Sequence, residues 1–167
     1  RHQEIRDLFA LSVEELIARS QGRLVVKDSL EDLYEFLAET MTAEFRAAAA
    51  RPGPTAFIMP VGPVQPYRAM AERINRERIS LARCWFFFMD EYCDDEDRLV
   101  PLDHPLSFRR QIGPLFFDRV APDLLMPPGQ RIFPTPETLA QLPAQIAAAG
   151  GIEVCYGGIG IHGHIAF

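Results

Sequence analysis

One side chain suited to acid–base chemistry is Asp90, which directly follows the apolar run at 84–89. A carboxylate at the end of a buried strand is partly desolvated, and desolvation together with neighbouring carboxylates raises its pKa toward neutrality. Such a group is suited to act as a general base toward a carbon acid. A cap at the strand end is an equally good interpretation of Asp90.

A second candidate is the glycine-rich segment 157–164, which contains His162 and His164. Its glycines are Gly157, Gly158, Gly160 and Gly163. Glycine allows backbone N–H groups to approach an anion or an oxyanion closely. In an extended segment the two histidines project to the same side, which suits acid–base catalysis or metal binding. A tight turn with incidental histidines is the alternative.

Three patterns in these segments resemble cofactor or metal sites without completing one. Segment 157–164 contains a G-x-G-x-x-G, but a dinucleotide site also needs a following helix and an acidic residue about 20 positions later. His162 and His164 have no third ligand fixed by the sequence. The acidic run 90–97 lacks the spacing and the central glycine of an EF-hand. We therefore expect no cofactor and no metal ion.

The elements that must position these residues alternate between strands and helices. Apolar runs predict strands, and three- and four-residue periodicity predicts helices. The strands are expected at 24–26, 55–59, 84–89 and 152–156, and the helices at 1–20, from Ser29 to Pro52, at 67–78, at 106–120 with an interruption at Gly113-Pro114, and at 136–149. Because the strands are apolar on both faces, the sequence predicts an α/β fold with a mainly parallel sheet covered by helices.

In such a sheet, ligands bind beyond the carboxyl ends of the strands. The predicted loops at these ends are 60–66, 90–105 and 157–164. Loop 60–66 precedes a helix, which is a natural position for a phosphate. However, it has three prolines and no Ser, Thr or Lys, so alone it does not indicate a phosphate site.

Length and composition limit the class of protein. The 167 residues fit a single domain, 1–167, with 1–22 as a helical extension. No apolar run approaches the roughly 18 residues of a membrane span, and the net charge of −6 argues against nucleic acid as partner. Three scattered cysteines indicate free thiols in a reducing cytoplasm. The chain lacks an initial Met and ends just after its glycine-rich segment, so we expect the N-terminal part of a longer protein.

Three motifs together are similar to a known enzyme family. Phe-Met-Asp-Glu-Tyr at 88–92, His-Pro-Leu-Ser-Phe at 104–108 and the segment 157–167 resemble the glucosamine-6-phosphate deaminase/isomerase family in order and approximate spacing. The resemblance runs from about residue 23 to the end. It implies a three-layer, Rossmann-like α/β architecture. The related 6-phosphogluconolactonases share that fold, but their equivalent motifs differ.

The resemblance also implies roles for individual residues. Asp90 matches the aspartate that moves a proton between C2 and C1 through an enediol-type intermediate. His164 matches the histidine that assists opening of the sugar ring, and His162 is its neighbour in the catalytic segment. Substrate binding is assigned to Gly62, Glu91, Gly157, Gly158, Gly160 and Gly163, the amides of the glycine-rich segment holding an oxyanion.

Three features depart from the family pattern. His162 stands where the family has Asp or Asn, loop 60–66 lacks the family's hydroxyl residues, and the segment between Tyr92 and His104 is longer. We therefore weigh an isomerase/deaminase of carbohydrate metabolism, acting on an amino-sugar phosphate such as glucosamine 6-phosphate, against two alternatives. These are a weakened relative that only binds sugar or sugar phosphate, and a 6-phosphogluconolactonase-like hydrolase. A small sugar phosphate is the expected partner, and a homo-oligomer is compatible with the sequence.

Overall fold

The computed structural model describes residues 2–160 and 162–164, which fall into two compact units divided between Leu33 and Tyr34. The first unit contains helices α1 (His2–Phe9) and α2 (Val13–Ser20). A capping box starts α2, with the Ser12 N–H donating to Glu15 Oε2 at 2.8 Å and the Glu15 N–H to Ser12 Oγ at 3.2 Å. The expectation of one domain with an extension at 1–22 stays a prediction.

The strand expected at 24–26 does not form. Leu24, Val25 and Val26 are irregular in backbone, and each side chain is at least 40% exposed. Within the described residues no strand pairs with this segment. β-branched residues favour a strand only where a pleated, half-buried surface receives them, and these residues have none.

The second unit is built on a parallel sheet of four strands in the order β3-β2-β1-β4. The strands are β1 (Thr55–Met59), β2 (Cys84–Phe88), β3 (Arg131–Ile132) and β4 (Ile152–Cys155). The predicted parallel sheet is thus confirmed. The two-residue strand β3 lies between the helices expected at 106–120 and 136–149, where no strand is expected.

Four helices accompany this sheet: α3 (Leu30–Ala50), α4 (Gln65–Glu77), α5 (Phe108–Ile112) and α6 (Leu142–Ala148). Ser29 caps α3, because its hydroxyl oxygen accepts from the Asp32 N–H at 3.0 Å. The helix is not interrupted at Gly113-Pro114 as expected. Instead, the chain continues from α5 into a wider, π-helical turn, Gly113–Phe117. The helix expected from 136 begins only at Leu142.

Alternating side chains of β1 and β2 enter two apolar clusters on opposite faces of the sheet. Phe57 and Phe86 pack with Phe45 of α3, whose ring centroid lies 5.1 Å from that of Phe57 and 5.2 Å from that of Phe86. Ala56 and Phe87 face the other way. There they pack with Leu142 and Ile146 of α6. Helices therefore cover both faces, which confirms the three-layer arrangement.

The strand order reverses at β1. The chain passes from β1 to β2 and β3 on one side, then returns to place β4 on the other side of β1. In open α/β sheets this reversal opens a crevice at the carboxyl ends of the two strands that flank it. The segments after β1 and β4 therefore begin at a natural ligand position.

Candidate active site

A cavity of about 310 Å³ lies beyond the carboxyl ends of β1, β2 and β4. Three stretches of the chain line most of it: residues 60–63 after β1, Met89 and Asp90 after β2, and residues 158–160 after β4. Phe108 from α5 and His164 complete the described lining. Of the residues predicted for the site, the structure brings Asp90, His164, Gly62, Gly158 and Gly160 together here.

Asp90 is held at the end of β2 by continued pairing between strands. The Met89 N–H donates to the Met59 carbonyl at 3.0 Å, which places the next residue beside the loop that follows β1. Burial, and secondarily the negative charge of Glu91, raise the pKa of Asp90, while His164 opposes the rise. The direction agrees with the expectation from sequence, and a carboxylate of raised proton affinity is suited to general base catalysis.

His164 lies at the end of a tight turn. The Gly160 N–H donates to the His164 carbonyl and the Gly163 N–H to the Gly160 carbonyl, both at 2.8 Å. Gly163 has a φ of +79°, a left-handed conformation that favours glycine. A Cβ atom at Gly160 would collide with the His164 imidazole, so only glycine lets the ring lie against this backbone.

Of the two conformations considered for this segment, extended or a tight turn, the structure has the tight turn. Both histidines are exposed, but His164 lines the cavity and His162 lies outside its described lining. The catalytic assignment of His162 therefore has no support from the geometry of the cavity.

The same turn reduces the number of backbone N–H groups that are available to hold an oxyanion. The N–H groups of Gly160 and Gly163 are engaged within the turn. Those of Gly157 and Gly158 donate to no acceptor in the part of the chain that the structure describes. Gly158 lines the cavity, and Gly157 lines an adjoining apolar cavity of about 320 Å³ with Met41 and Tyr156. Gly157 and Gly158 are thus the candidates for holding an oxyanion.

Glu91, assigned to substrate binding from the sequence, does not face the cavity. Its side chain is 0% exposed. Burial tends to raise the pKa of Glu91, but hydrogen bonds from the N–H groups of Arg109, Phe108 and Tyr92 and from the Arg109 guanidinium hold it below its ordinary value. The assignment of Glu91 to substrate binding stays a prediction; in this structure the carboxylate accepts hydrogen bonds from protein donors at the start of α5.

The wall formed by residues 60–63 is nonpolar. The Tyr67 hydroxyl donates to the Pro60 carbonyl and ties this loop to α4. Neither a hydroxyl nor a cationic side chain comes from residues 60–63, and Pro63 has no N–H to donate. Asp90 and His164 are the ionisable side chains among the described lining residues.

The expectation of a metal-free protein stays a prediction. Within residues 2–160 and 162–164, no group of three or more His, Cys, Asp or Glu side chains is arranged to hold a metal ion. We expect elemental analysis of protein purified without added metal to find no stoichiometric transition metal. One equivalent of zinc, lost together with activity on chelation, would contradict this.

The three cysteines are free thiols, with Cys84 buried and Cys93 and Cys155 exposed. Burial raises the pKa of the Cys84 thiol to about 12. Among the described residues, no helix combines the length and apolar character needed to cross a membrane.

Sequence comparison relates the chain to known enzymes. It is 34% identical over 155 residues to the glucosamine-6-phosphate deaminase of Aedes aegypti, covering 87% of this chain and 52% of that enzyme. It is 30% identical over 152 residues to the glucosamine-6-phosphate deaminase of Phocaeicola vulgatus, covering 87% and 55%. No family model matches the chain. The resemblance inferred from the motifs is confirmed, and the chain spans about half the length of the curated relatives it matches.

Structural comparison supports the same architecture. A monomeric glucosamine-6-phosphate deaminase superposes with a TM-score of 0.63 at 20% identity, covering 79% of this chain and 54% of that one. The 6-phosphogluconolactonase of Thermotoga maritima superposes with a TM-score of 0.61 at 23% identity, covering 80% and 58%. At these identities the likenesses show the fold alone, and they confirm a Rossmann-like α/β architecture.

Proposed function

We propose that this chain carries the proton-transfer site of an aldose–ketose isomerase/deaminase that acts on an amino-sugar phosphate such as glucosamine 6-phosphate. The observation that carries the proposal is the pairing of Asp90, whose pKa is raised, with His164 in one cavity at the reversal of strand order. Similarity to glucosamine-6-phosphate deaminases over 87% of the chain supports the substrate class.

In the proposed mechanism Asp90 removes the proton at C2 of the open-chain amino sugar and returns it at C1, which leaves a C=N bond at C2. Water adds to this bond, and the C2–N bond then breaks to release ammonia and the ketose phosphate. A positioned general base contributes roughly 10²–10⁴ in rate. The enediol-type intermediate carries developing negative charge on oxygen, and we assign the N–H groups of Gly157 and Gly158 as hydrogen-bond donors to it; such donors contribute roughly 10²–10³ each. His164 exchanges a proton with the ring oxygen when the sugar ring opens, a role suited to imidazole near neutral pH.

The experiment that tests this function is an assay of the full-length protein with glucosamine 6-phosphate. Ammonia release and formation of the ketose phosphate are measured together. Stoichiometric production of both supports the proposal. Release of acid from a sugar-phosphate lactone, with no ammonia from the amino sugar, would instead support the lactonase-like alternative.

A second candidate function, a weakened relative that only binds sugar or sugar phosphate, is favoured by the nonpolar loop wall. Residues 60–63 present no group that neutralises a phosphate, and His162 lies outside the described lining of the cavity. The chain spans about half the length of its relatives. The assay therefore uses the full-length protein, so that any phosphate-binding side chains outside these 167 residues are present.

Under this second candidate we expect deamination of glucosamine 6-phosphate to be weak, because residues 60–63 offer its phosphate neither a hydroxyl nor a cationic side chain. Isothermal titration calorimetry measures the dissociation constant of glucosamine 6-phosphate. The comparison protein is His162→Asp, in which we expect weaker binding, because the variant adds a negative charge two residues from His164. Strong wild-type deamination that is unchanged or lowered in this variant would contradict the expectation.

A further inference from the structure

The buried carboxylate of Glu91 holds several donors at the start of α5. Its Oε1 accepts from the N–H groups of Tyr92 and Phe108, each at 2.9 Å. Its Oε2 accepts from the N–H and from Nε of Arg109, each also at 2.9 Å. Hydrogen bonds to an ionised acceptor are about twice as strong as those between neutral groups. Glu91 therefore links the end of β2 to the start of α5, 17 residues further along the chain, through hydrogen bonds.

Arg109 and Ser107 extend this arrangement into a closed network. The Arg109 guanidinium, 23% exposed, also donates from Nη2 to the Val100 carbonyl at 2.7 Å. Ser107 is fully buried, and its hydroxyl accepts from the Arg110 N–H at 3.3 Å and lies 3.4 Å from Glu91 Oε2. We call Glu91, Ser107 and Arg109 the clamp. It fixes both ends of the long segment between β2 and α5.

The clamp lies directly beside two walls of the cavity. Two cavity-lining residues are neighbours of the clamp in the chain: Asp90 precedes Glu91, and Phe108 lies between Ser107 and Arg109. Glu91 itself does not line the cavity. We propose that Glu91 is a positioning residue: through its hydrogen bonds to the first turn of α5 and to Arg109, it sets the position of the Asp90 carboxylate and of the Phe108 ring. The inference rests on the proposed function for its kinetic consequence only.

The charge of Glu91 also acts on Asp90. The ionisable groups that influence the Asp90 carboxylate are Glu91, which raises its pKa, and His164, which lowers it. Removing the charge of Glu91 should therefore lower the pKa of Asp90. A neutral amide at position 91 would also turn an N–H group toward backbone donors, leaving at least one of them without an acceptor.

The test compares Glu91→Gln with two variants. Asp94→Asn alters a similar but exposed arrangement in the same segment, in which Asp94 accepts from the N–H groups of Glu96 and Arg98, each at 3.0 Å. Arg109→Gln removes the guanidinium but keeps the Glu91 charge. The first readout is the NMR titration of the Asp90 carboxyl carbon, and the second is amide hydrogen exchange at Phe108 and Arg109. Neither readout requires the proposed enzymatic activity.

In Glu91→Gln we expect the Asp90 titration to move to lower pH and the amides of Phe108 and Arg109 to exchange faster. Asp94→Asn should change neither, and Arg109→Gln should speed exchange without moving the titration to lower pH. If the full-length protein turns over substrate, kcat of Glu91→Gln should fall by about tenfold, less than the 10²-fold that a displacement of 1 Å can cost. The acidic limb of its pH–rate profile should move in step with the Asp90 titration.

Two results would overturn the positioning role. One is an Asp90 titration that stays at the wild-type pH in a folded Glu91→Gln protein. The other applies if Glu91→Gln does not fold. It is an amide exchange rate at Phe108 that is the same in Arg109→Gln as in the wild type. Absence of turnover in the wild type would count against the proposed function and would leave both readouts of the clamp intact.

Discussion

Replacing Asp90 by asparagine is expected to lower kcat by at least about 10²-fold, the contribution of a positioned general base. Asparagine has nearly the same shape but cannot accept the C2 proton. The fold should persist, because the strand end is held by the Met89 N–H and the Met59 carbonyl rather than by the Asp90 side chain. Ammonia release under saturating substrate measures the loss.

The pH dependence of this variant sharpens the test. A general base works only when it is deprotonated, so wild-type turnover should fall as the pH drops through the pKa of Asp90. Because this pKa is raised by burial and by Glu91, the fall should lie above the ordinary aspartate value of about 3.9. Residual turnover of Asp90→Asn should lack this limb.

The matched control is Asp95→Asn, which changes an exposed aspartate of the same loop. It should retain wild-type kcat and the acidic limb. Turnover of Asp90→Asn within a factor of two of wild type would remove Asp90 from the mechanism.

The second large effect is expected from Gly160→Ala. The added Cβ would collide with the His164 imidazole, which must then leave its place against the turn. Displacing a reacting group by about 1 Å can cost 10²-fold in rate, so we expect a loss of about that size in kcat. Thermal unfolding should change little, because the turn lies outside the apolar clusters.

Gly129→Ala is the comparison for this variant. An alanine Cβ there meets no atom within 4 Å, and neither glycine has a left-handed φ, so the two substitutions carry similar backbone consequences and differ in the collision. Gly129→Ala should leave the rate unchanged. Equal rates in the two variants would show that the position of the His164 ring is unimportant for turnover.

Local patterns were sufficient to predict the elements that carry most of the site. The strand at 55–59 was predicted with the bounds that β1 has, because an apolar run ends at a proline. Asp90 was placed at a strand end by the apolar run before it. The α2 capping box and the Ser29 cap depend on spacing of three residues, which is visible in any sequence.

What escaped prediction depends on contacts between distant residues. The role of Glu91 is set by donors 17 and 18 residues away, which no local pattern reveals. The two-residue strand β3 forms because β2 offers it an edge, and 24–26 stays irregular without such an edge among the described residues. The tight turn at 160–164 leaves His162 outside the described lining of the cavity, and the glycines of the segment permit this turn but do not require it.

The order of the strands has a consequence for how the protein acquires its cavity. β1 pairs on one side with β2, the next strand in the chain, and on the other with β4, the last of the described strands. Closing a longer loop costs more chain entropy, and pairings between distant segments form slowly. Asp90 follows β2, whose pairing with β1 closes a short stretch of chain and costs little chain entropy. His164 follows β4, whose pairing with β1 closes a much longer stretch. The two ionisable side chains of the described cavity lining therefore meet only when β4 has paired with β1, the pairing that spans the longer stretch of chain.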